Sequence, residues 1–240
     1  YVELYNNLGV TLQEQGKLNE AIEAYGKAIS LQPDFAEAHN NIGSTFLEQG
    51  KLDQALEASK KALSLQPDFG EAQSNLGLAL QEQGKLEEAL LAYSKALSLQ
   101  PDYAELYSKI GVALQDMIFN KPNIDFQTTI NSLLNKKSYI RPIDIARAAI
   151  SLLKFEPCLQ ENLKLIHRDT IDSPLNVITD LNELALLLKL MSVCPLPDLE
   201  LEALLINLRR FILSHVIDSK DASPELLNFQ SALALQCFTN

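Results

Sequence analysis

The sequence predicts an all-α protein, because its first half repeats with a fixed period and strand signals are missing. Two tetrapeptides recur every 34 residues, Leu-Gln-Pro-Asp at 31–34, 65–68 and 99–102 and Gln-Gly-Lys-Leu at 15–18, 49–52 and 83–86. The chain has no alternating run of β-branched residues and no Asn-Gly or Asp-Gly dipeptide, which are the usual signs of strands and hairpins. A period of this length is typical of stacked helical units.

Each repeat divides into two helices. In the second repeat, Ile42 and Phe46 stand four residues apart on one helix face, and Gly43 lets a neighbouring helix come close. Gly50 ends this first helix. Pro67 ends the second helix, since the residue before a proline avoids helical geometry.

The repeats predict a solenoid, because a single helical hairpin cannot bury its apolar face alone. A fourth copy begins at Ala104 and departs from the pattern after Met117. We therefore predict about three and a half repeats over 1–117 and a separate α-helical domain over 118–240 that caps or extends the solenoid.

The second half is predicted to hold longer, less regular helices. Prolines at 142, 157, 174, 195, 197 and 224 mark the helix starts and stops. The predicted helices are 124–136, 142–154, 158–167, 174–192, 198–217 and 223–237.

Small and aromatic residues at fixed positions carry a family resemblance. The first repeat holds Leu8-Gly9, Gly16, Ala21, Tyr25, Ala28 and Pro33, and the next two hold Ile42-Gly43, Ala55, Ala62, Pro67 and Leu76-Gly77, Ala89, Tyr93, Ala96, Pro101. These residues resemble the tetratricopeptide repeat (TPR) family over about 2–117, and are similar to the repeats of O-linked N-acetylglucosamine transferases. Ser59 departs from the pattern, because it replaces the aromatic residue of Tyr25 and Tyr93. The resemblance implies a right-handed solenoid whose concave surface is lined by the first helix of each repeat.

Spacing independently places a polar stripe on that first helix. One face of the first helix carries Glu3, Asn7, Val10 and Glu14. It lies next to a predicted core face of Tyr5, Leu8 and Leu12. The stripe recurs as Glu37, Asn41, Ser44, Glu48, then as Glu71, Asn75, Leu78, Glu82, and in the fourth unit as Glu105, Lys109, Val112, Asp116. The candidate peptide-binding residues are Asn7, Asn41, Asn75, Glu3, Glu37, Glu71, Glu14, Glu48, Glu82 and Lys109.

This stripe admits two interpretations. An asparagine amide both donates and accepts, so the ladder of Asn7, Asn41 and Asn75 can clamp the backbone of an extended peptide. The resemblance to the glycosyltransferases implies the same use. Alternatively, these amides bond between adjacent helices. The glutamates either select polar or basic ligands or simply solvate an exposed face.

Charge excludes two classes of partner. The formal net charge is −11, and the first arginine of the chain is Arg141. A phosphate backbone would be repelled, so nucleic acid is not an expected partner. TPR clamps for the acidic tails of chaperones need basic residues in the groove, where this chain has acids and amides.

Other patterns predict a cytoplasmic protein without cofactor or membrane segment. No glycine follows Gly111, so the second half lacks the glycine-rich loops of nucleotide sites and of hydrolases. Charged residues interrupt every long apolar run. The three cysteines, Cys158, Cys194 and Cys237, form no Cys-x-x-Cys pair.

No residue constellation predicts an active site or a metal site, so we do not expect the chain itself to be an enzyme. His167 near Asp169 and Asp172 fits a helix terminus better than a metal site. The segments 190–195 and 231–240 look like part of bacterial TPR-containing methyltransferases. Two alternative functions follow, the N-terminal non-catalytic part of a methyltransferase or glycosyltransferase, and a self-assembling, oligomeric scaffold.

Overall fold

The computed structural model describes residues 1–115, 117–135, 140–164, 174–215 and 224–238. Every regular element within these ranges is an α-helix, which confirms the all-α prediction. The chain separates into two compact units, Tyr1–Ala113 and Leu114–Asn240. None of the described helices has both the length and the apolar character needed to cross a membrane.

The first unit is a series of helical hairpins stacked as a solenoid. Its helices are α1 (Val2–Glu14), α2 (Leu18–Leu31), α3 (Ala36–Glu48), α4 (Leu52–Leu65), α5 (Gly70–Glu82), α6 (Leu86–Leu99) and α7 (Ala104–Gln115), the last of which crosses the boundary between the units. Within a repeat, α1 packs on α2, α3 on α4 and α5 on α6. Between repeats, α2 packs on α3 and α4 on α5, as the 34-residue period predicts.

Glycine forms the turn inside each hairpin. Gly16, Gly50 and Gly84 have φ of 72°, 69° and 75°, a left-handed conformation that residues with a Cβ adopt at a cost. At the first turn, the Gly16 N–H donates to the Gln13 carbonyl at 2.8 Å and the Lys17 N–H donates to the Leu12 carbonyl at 2.9 Å. This pair of bonds satisfies the last carbonyls of the helix, so the recurring Gln-Gly-Lys-Leu is the signal for the reversal.

Small residues on the second helices let the helices of a hairpin approach closely. The fully buried alanines of these helices include Ala21, Ala28, Ala55, Ala62 and Ala89. The tyrosine of this helix lies directly against the glycine of the first: a Cβ on Gly9 would lie 2.5 Å from the Tyr25 ring. In the second repeat the ring is absent, and a Cβ on Gly43 would lie 3.3 Å from the Ser59 hydroxyl oxygen. That hydroxyl is buried without a hydrogen-bond partner.

Leu8 departs from its predicted place in the core. It is 48% exposed, whereas Ile110, at the same position of the fourth repeat, is fully buried. The buried residues of α1 are instead Asn6 and Gly9. Helices α3 and α5 are each covered by the second helix of the repeat before them, α2 and α4, whereas no described helix precedes α1.

The second unit is an assembly of helices with its own core. They are α8 (Ile124–Asn135), α9 (Pro142–Leu153), α10 (Pro157–Leu163), α11 (Pro174–Asn182), α12 (Ala185–Met191), α13 (Leu199–His215) and α14 (Pro224–Phe238). Helix α12 packs on α8, α9 and α14, and Leu187 and Leu190 on it are fully buried. The Lys154 ammonium, just after α9, pairs with Asp198 at 2.7 Å and with Glu200 at 2.9 Å near the start of α13.

The single helix predicted over 174–192 is wrong, because the structure breaks it into α11 and α12. The Glu183 and Leu184 amides bond three residues back, to Asp180 and Leu181, and Leu184 leaves the helix with ψ of 80°. A tightened last turn of this kind ends a helix without glycine or proline. The predicted 158–167 helix is described only to Leu163 as α10, and 165–167 lie outside the described residues.

Candidate functional site

The asparagine ladder is held by hydrogen bonds between successive repeats. The Asn41 amide nitrogen donates to Asn6 Oδ1 at 3.1 Å, and the Asn75 amide nitrogen donates to Asn40 Oδ1 at 2.9 Å. The fourth rung follows the same pattern, because Lys109 Nζ donates to Ser74 Oγ at 3.4 Å. Each acceptor precedes the ladder position of its own repeat by one residue.

The acceptors of these bonds are buried polar side chains. Asn6, Asn40 and Ser74 are 2%, 7% and 2% exposed, so an unpaired polar atom there would be costly. A carboxamide carries two N–H donors and an oxygen with two lone pairs. Stacking uses one donor of Asn41 and one of Asn75, both of which are half-buried. The bonds therefore orient the amides without using up their capacity for a ligand.

A groove of about 550 Å³ runs along the first helices. Five of the predicted site residues line it: Glu14, Asn41, Glu48, Glu71 and Asn75. The remaining lining residues are Val10, Gln13, Tyr25, Asn40, Ser44, Ser74 and Tyr103. Amides, hydroxyls and carboxylates thus share one continuous concave surface.

The groove is electrically negative. Three of its lining residues are glutamates and none is basic. Burial, followed by the charges of Glu48, Glu14 and Glu37, raises the pKa of the Tyr25 hydroxyl to about 12. Burial and Glu105, with Glu71, also raise the pKa of Tyr103. The tyrosine hydroxyls therefore stay protonated hydrogen-bond donors in a field that favours cations.

A glutamine-centred network at the first repeat junction was missed from sequence. Gln13 Oε1 accepts from the Tyr25 hydroxyl at 2.9 Å and from the Thr45 hydroxyl at 3.0 Å, and Gln13 Nε2 donates to Glu48. The sequence did contain a signal for this network, because the pair Gln13 and Tyr25 recurs two repeats later as Gln81 and Tyr93. There the Tyr93 hydroxyl donates to Gln81 Oε1 at 3.1 Å.

The second repeat confirms that these two positions work as a pair. It has Leu47 in place of the glutamine and Ser59 in place of the tyrosine. The tyrosine and the glutamine that accepts from its hydroxyl are thus replaced together.

The other five predicted site residues do not line this groove. Glu3, Asn7 and Glu82 are exposed. Glu37 accepts from the Asn6 amide at 2.9 Å, and Lys109 forms an ion pair with Glu105 at 3.0 Å. The charge of Lys109, at the end of the ladder, is thus neutralised by Glu105.

The remaining chemically active side chains do not assemble into a second site in the described part of the chain. No group of three metal-ligating side chains occurs there, and His167, Asp169 and Asp172 lie outside the described residues. Burial, followed by Asp180 and Glu156, raises the pKa of the Cys158 thiol. This environment disfavours the thiolate that nucleophilic chemistry needs.

Cys194 gives a testable pH dependence of the second unit's stability. It is 3% exposed, and burial raises the pKa of its thiol from 9.0 to about 11. Between these values the unfolded chain has lost the proton while the folded chain keeps it, so stability falls as pH rises. A shift of this size corresponds to about 2–3 kcal/mol. Urea unfolding at about pH 8 and about pH 10.5 measures this loss of stability. The loss should be smaller in Cys194→Ala. An equal loss in both proteins would contradict the role given to the Cys194 thiol.

Comparison with known proteins identifies the repeats. The family model for the TPR repeat matches residues 11–50, 43–84 and 80–117, so this part of the chain consists of TPR repeats. No curated protein matches the chain.

Several solved structures are similar to part of this chain. The first TPR domain of Spaghetti (RPAP3) bound to an HSP90 peptide has 27% identity and a TM-score of 0.46, over 47% of this chain and 89% of that chain. The Arabidopsis OM64 TPR domain has 23% identity and a TM-score of 0.47, over 48% and 96%. A mutant O-GlcNAc transferase from Thermobaculum terrenum has 23% identity and a TM-score of 0.49, over 56% of this chain and 26% of the transferase chain.

Proposed function

We propose that the first unit is a protein-binding module that holds an extended, polar or basic peptide in its concave groove. The observation that carries the proposal is the common lining of that groove by the ladder amides of Asn41 and Asn75 and by the carboxylates of Glu14, Glu48 and Glu71. Backbone clamps and charge selection are thus combined on one surface.

The ladder amides suit recognition of a peptide backbone. An extended peptide presents N–H and C=O groups at regular intervals, and a carboxamide can pair with either. The bonds of Asn41 to Asn6 and of Asn75 to Asn40 already restrict the amide rotamers. Less conformational entropy is then lost on binding, so the stacking bonds and the clamp support each other.

The carboxylates set the preference for ligand charge. A lysine or arginine side chain in the groove gains from Glu14, Glu48 and Glu71, whereas an acidic peptide is repelled. Because these glutamates are exposed, salt screens their effect. We therefore expect affinity for a basic peptide to fall as ionic strength rises.

The alternative functions predicted from sequence stay predictions. A recruiting arm of a methyltransferase or glycosyltransferase would use this groove for its substrate. A self-assembling scaffold would instead bind copies of itself, and its mass in solution would rise with concentration.

The clamp is tested with Asn41→Ala/Asn75→Ala and a fluorescein-labelled lysine–serine peptide. Loss of two amides that pair with the ligand backbone should weaken binding by about 10-fold or more. Fluorescence anisotropy measures the affinity, and urea unfolding measures the accompanying loss of the two stacking bonds.

Asn19→Ala is the matched control, because Asn19 Oδ1 accepts a bond between repeats from Gln49 at 3.0 Å but lies outside the groove. It should lose stability without losing affinity. Unchanged affinity of the double variant would overturn the clamp.

A further inference from the structure

Tyr103 reaches the groove from the turn that precedes α7. It lines the groove together with Glu71 from the first turn of α5, and it is half-buried. Phe35 and Phe69, which occupy the same position in the two preceding repeats, do not line it. Tyr103 therefore gives this end of the groove an aromatic side chain that the repeat pattern alone does not supply.

A glycine lets the Tyr103 turn lie close to the start of α5. Gly70 stands where the neighbouring repeats have Ala36 and Ala104. A Cβ on Gly70 would lie 2.9 Å from the Gln100 side chain, so the absence of a side chain leaves room for Gln100 there. The Tyr103 N–H donates to the Gln100 carbonyl at 3.2 Å. The turn that carries Tyr103 thus packs directly on the first turn of α5.

A chain of hydrogen bonds orients the Tyr103 side chain. Its hydroxyl donates to Glu105 Oε2 at 3.2 Å, and Glu105 Oε1 pairs with Lys109 Nζ at 3.0 Å. Lys109 Nζ in turn donates to the buried Ser74 Oγ at 3.4 Å. The ring is therefore held in place before a ligand binds, which reduces the conformational entropy lost on binding.

Glu71 supplies an unpaired carboxylate beside this ring. At the same repeat position, Glu37 accepts from Asn6 at 2.9 Å and Glu105 forms the ion pair described above. Glu71 is exposed, and within the described ranges its carboxylate has no hydrogen bond or ion pair. Burial, followed by Glu105 and Glu71, raises the pKa of Tyr103, so the charge of Glu71 acts at this side chain.

We propose that Tyr103 and Glu71 form an arginine-selective subsite, in which a guanidinium of the ligand lies on the tyrosine ring and pairs with the carboxylate. A guanidinium is planar, weakly hydrated and able to stack on aromatic faces, whereas the lysine ammonium is a compact, strongly hydrated charge. Its N–H groups also match a carboxylate in a bidentate pair. The inference rests on the peptide-binding function proposed above and names arginine-containing peptides as its ligand class.

Two labelled peptides of equal charge test the subsite. One is the lysine–serine peptide, and the other has arginine in place of each lysine. The arginine peptide should bind the parent protein about 5-fold more tightly, because stacking on the ring and the bidentate pair both favour arginine. Equal charge cancels the general attraction of the acidic groove from this comparison.

Tyr103→Leu should abolish the arginine preference, because it removes the ring and keeps an apolar side chain. Tyr103→Phe should retain the preference, since the ring stays and phenylalanine occupies the same position in other repeats. Phe35→Leu is the matched control, because Phe35 has the same repeat position outside the groove lining. This variant should also keep the preference.

Glu71→Gln gives a second test that does not depend on the ring. The side chain is exposed, so the fold should not change. Loss of the carboxylate should weaken binding of the arginine peptide more than binding of the lysine peptide.

The failure of this inference can be separated from failure of the proposed function. If both peptides bind the parent with equal affinity, or if the arginine preference survives Tyr103→Leu, the subsite is wrong and peptide binding stands. Loss of the preference in both leucine variants would also contradict the subsite, because the ring of Tyr103 would not be its cause. If neither peptide binds, both proposals are wrong.

Discussion

Replacing Gly77 by alanine is expected to destabilise the repeats by about 1–3 kcal/mol, although alanine is the better helix former. A Cβ at this position would lie 2.6 Å from two ring atoms of Tyr93. The ring cannot move away, because Tyr93 is fully buried and its hydroxyl is bonded to Gln81.

Gly43→Ala is the matched control for this substitution. Its Cβ would meet Ala58 Cβ and Ser59 Oγ at 3.3 Å, a contact that a small shift relieves. Because helix propensity favours alanine by about 1 kcal/mol, this variant should be about as stable as the parent. Urea unfolding followed by circular dichroism compares the two.

Adding Ser59→Tyr to Gly43→Ala should restore the clash and destabilise the protein. If Gly77→Ala proved as stable as Gly43→Ala, the glycine–tyrosine contact would not be what positions the two helices of the third hairpin.

Reversing the charge of the groove should reverse its ligand preference. In Glu14→Lys/Glu48→Lys/Glu71→Lys, all three lining carboxylates become ammonium groups. At about 1 kcal/mol for each reversed contact, a lysine–serine peptide should bind about 100-fold more weakly. A glutamate–serine peptide should gain affinity.

A matched variant carries the same change of net charge outside the groove. Glu20→Lys/Glu57→Lys/Glu88→Lys alters exposed residues of the second helices, so it should retain most of the parent's affinity. Equal weakening in the two triple variants would mean that net charge, rather than the groove, governs binding.

The sequence was sufficient to predict the repeats and their turns, because both depend on local chemistry. Gly50 and Pro67 mark helix ends through backbone conformation alone, and the 34-residue spacing aligns equivalent residues. The break between α11 and α12 could not be predicted, since no glycine or proline marks Glu183 or Leu184.

The candidate site was predictable only in part. Spacing within one helix placed Asn41 and Asn75 on a common stripe with glutamates. It could not show that their partners are Asn6 and Asn40, because contact across the stack is offset by one residue from the sequence period. The role of Gln13 required the position of a tyrosine on a different helix.

The most direct test is a ¹⁵N-resolved NMR titration of the protein with the lysine–serine peptide. The side-chain amides of Asn41 and Asn75 give their own signals, so clamping can be observed at the groups that perform it. The account predicts that these signals shift together with backbone signals of α1, α3 and α5. Shifts confined to other helices, with the ladder amides unchanged, would contradict it.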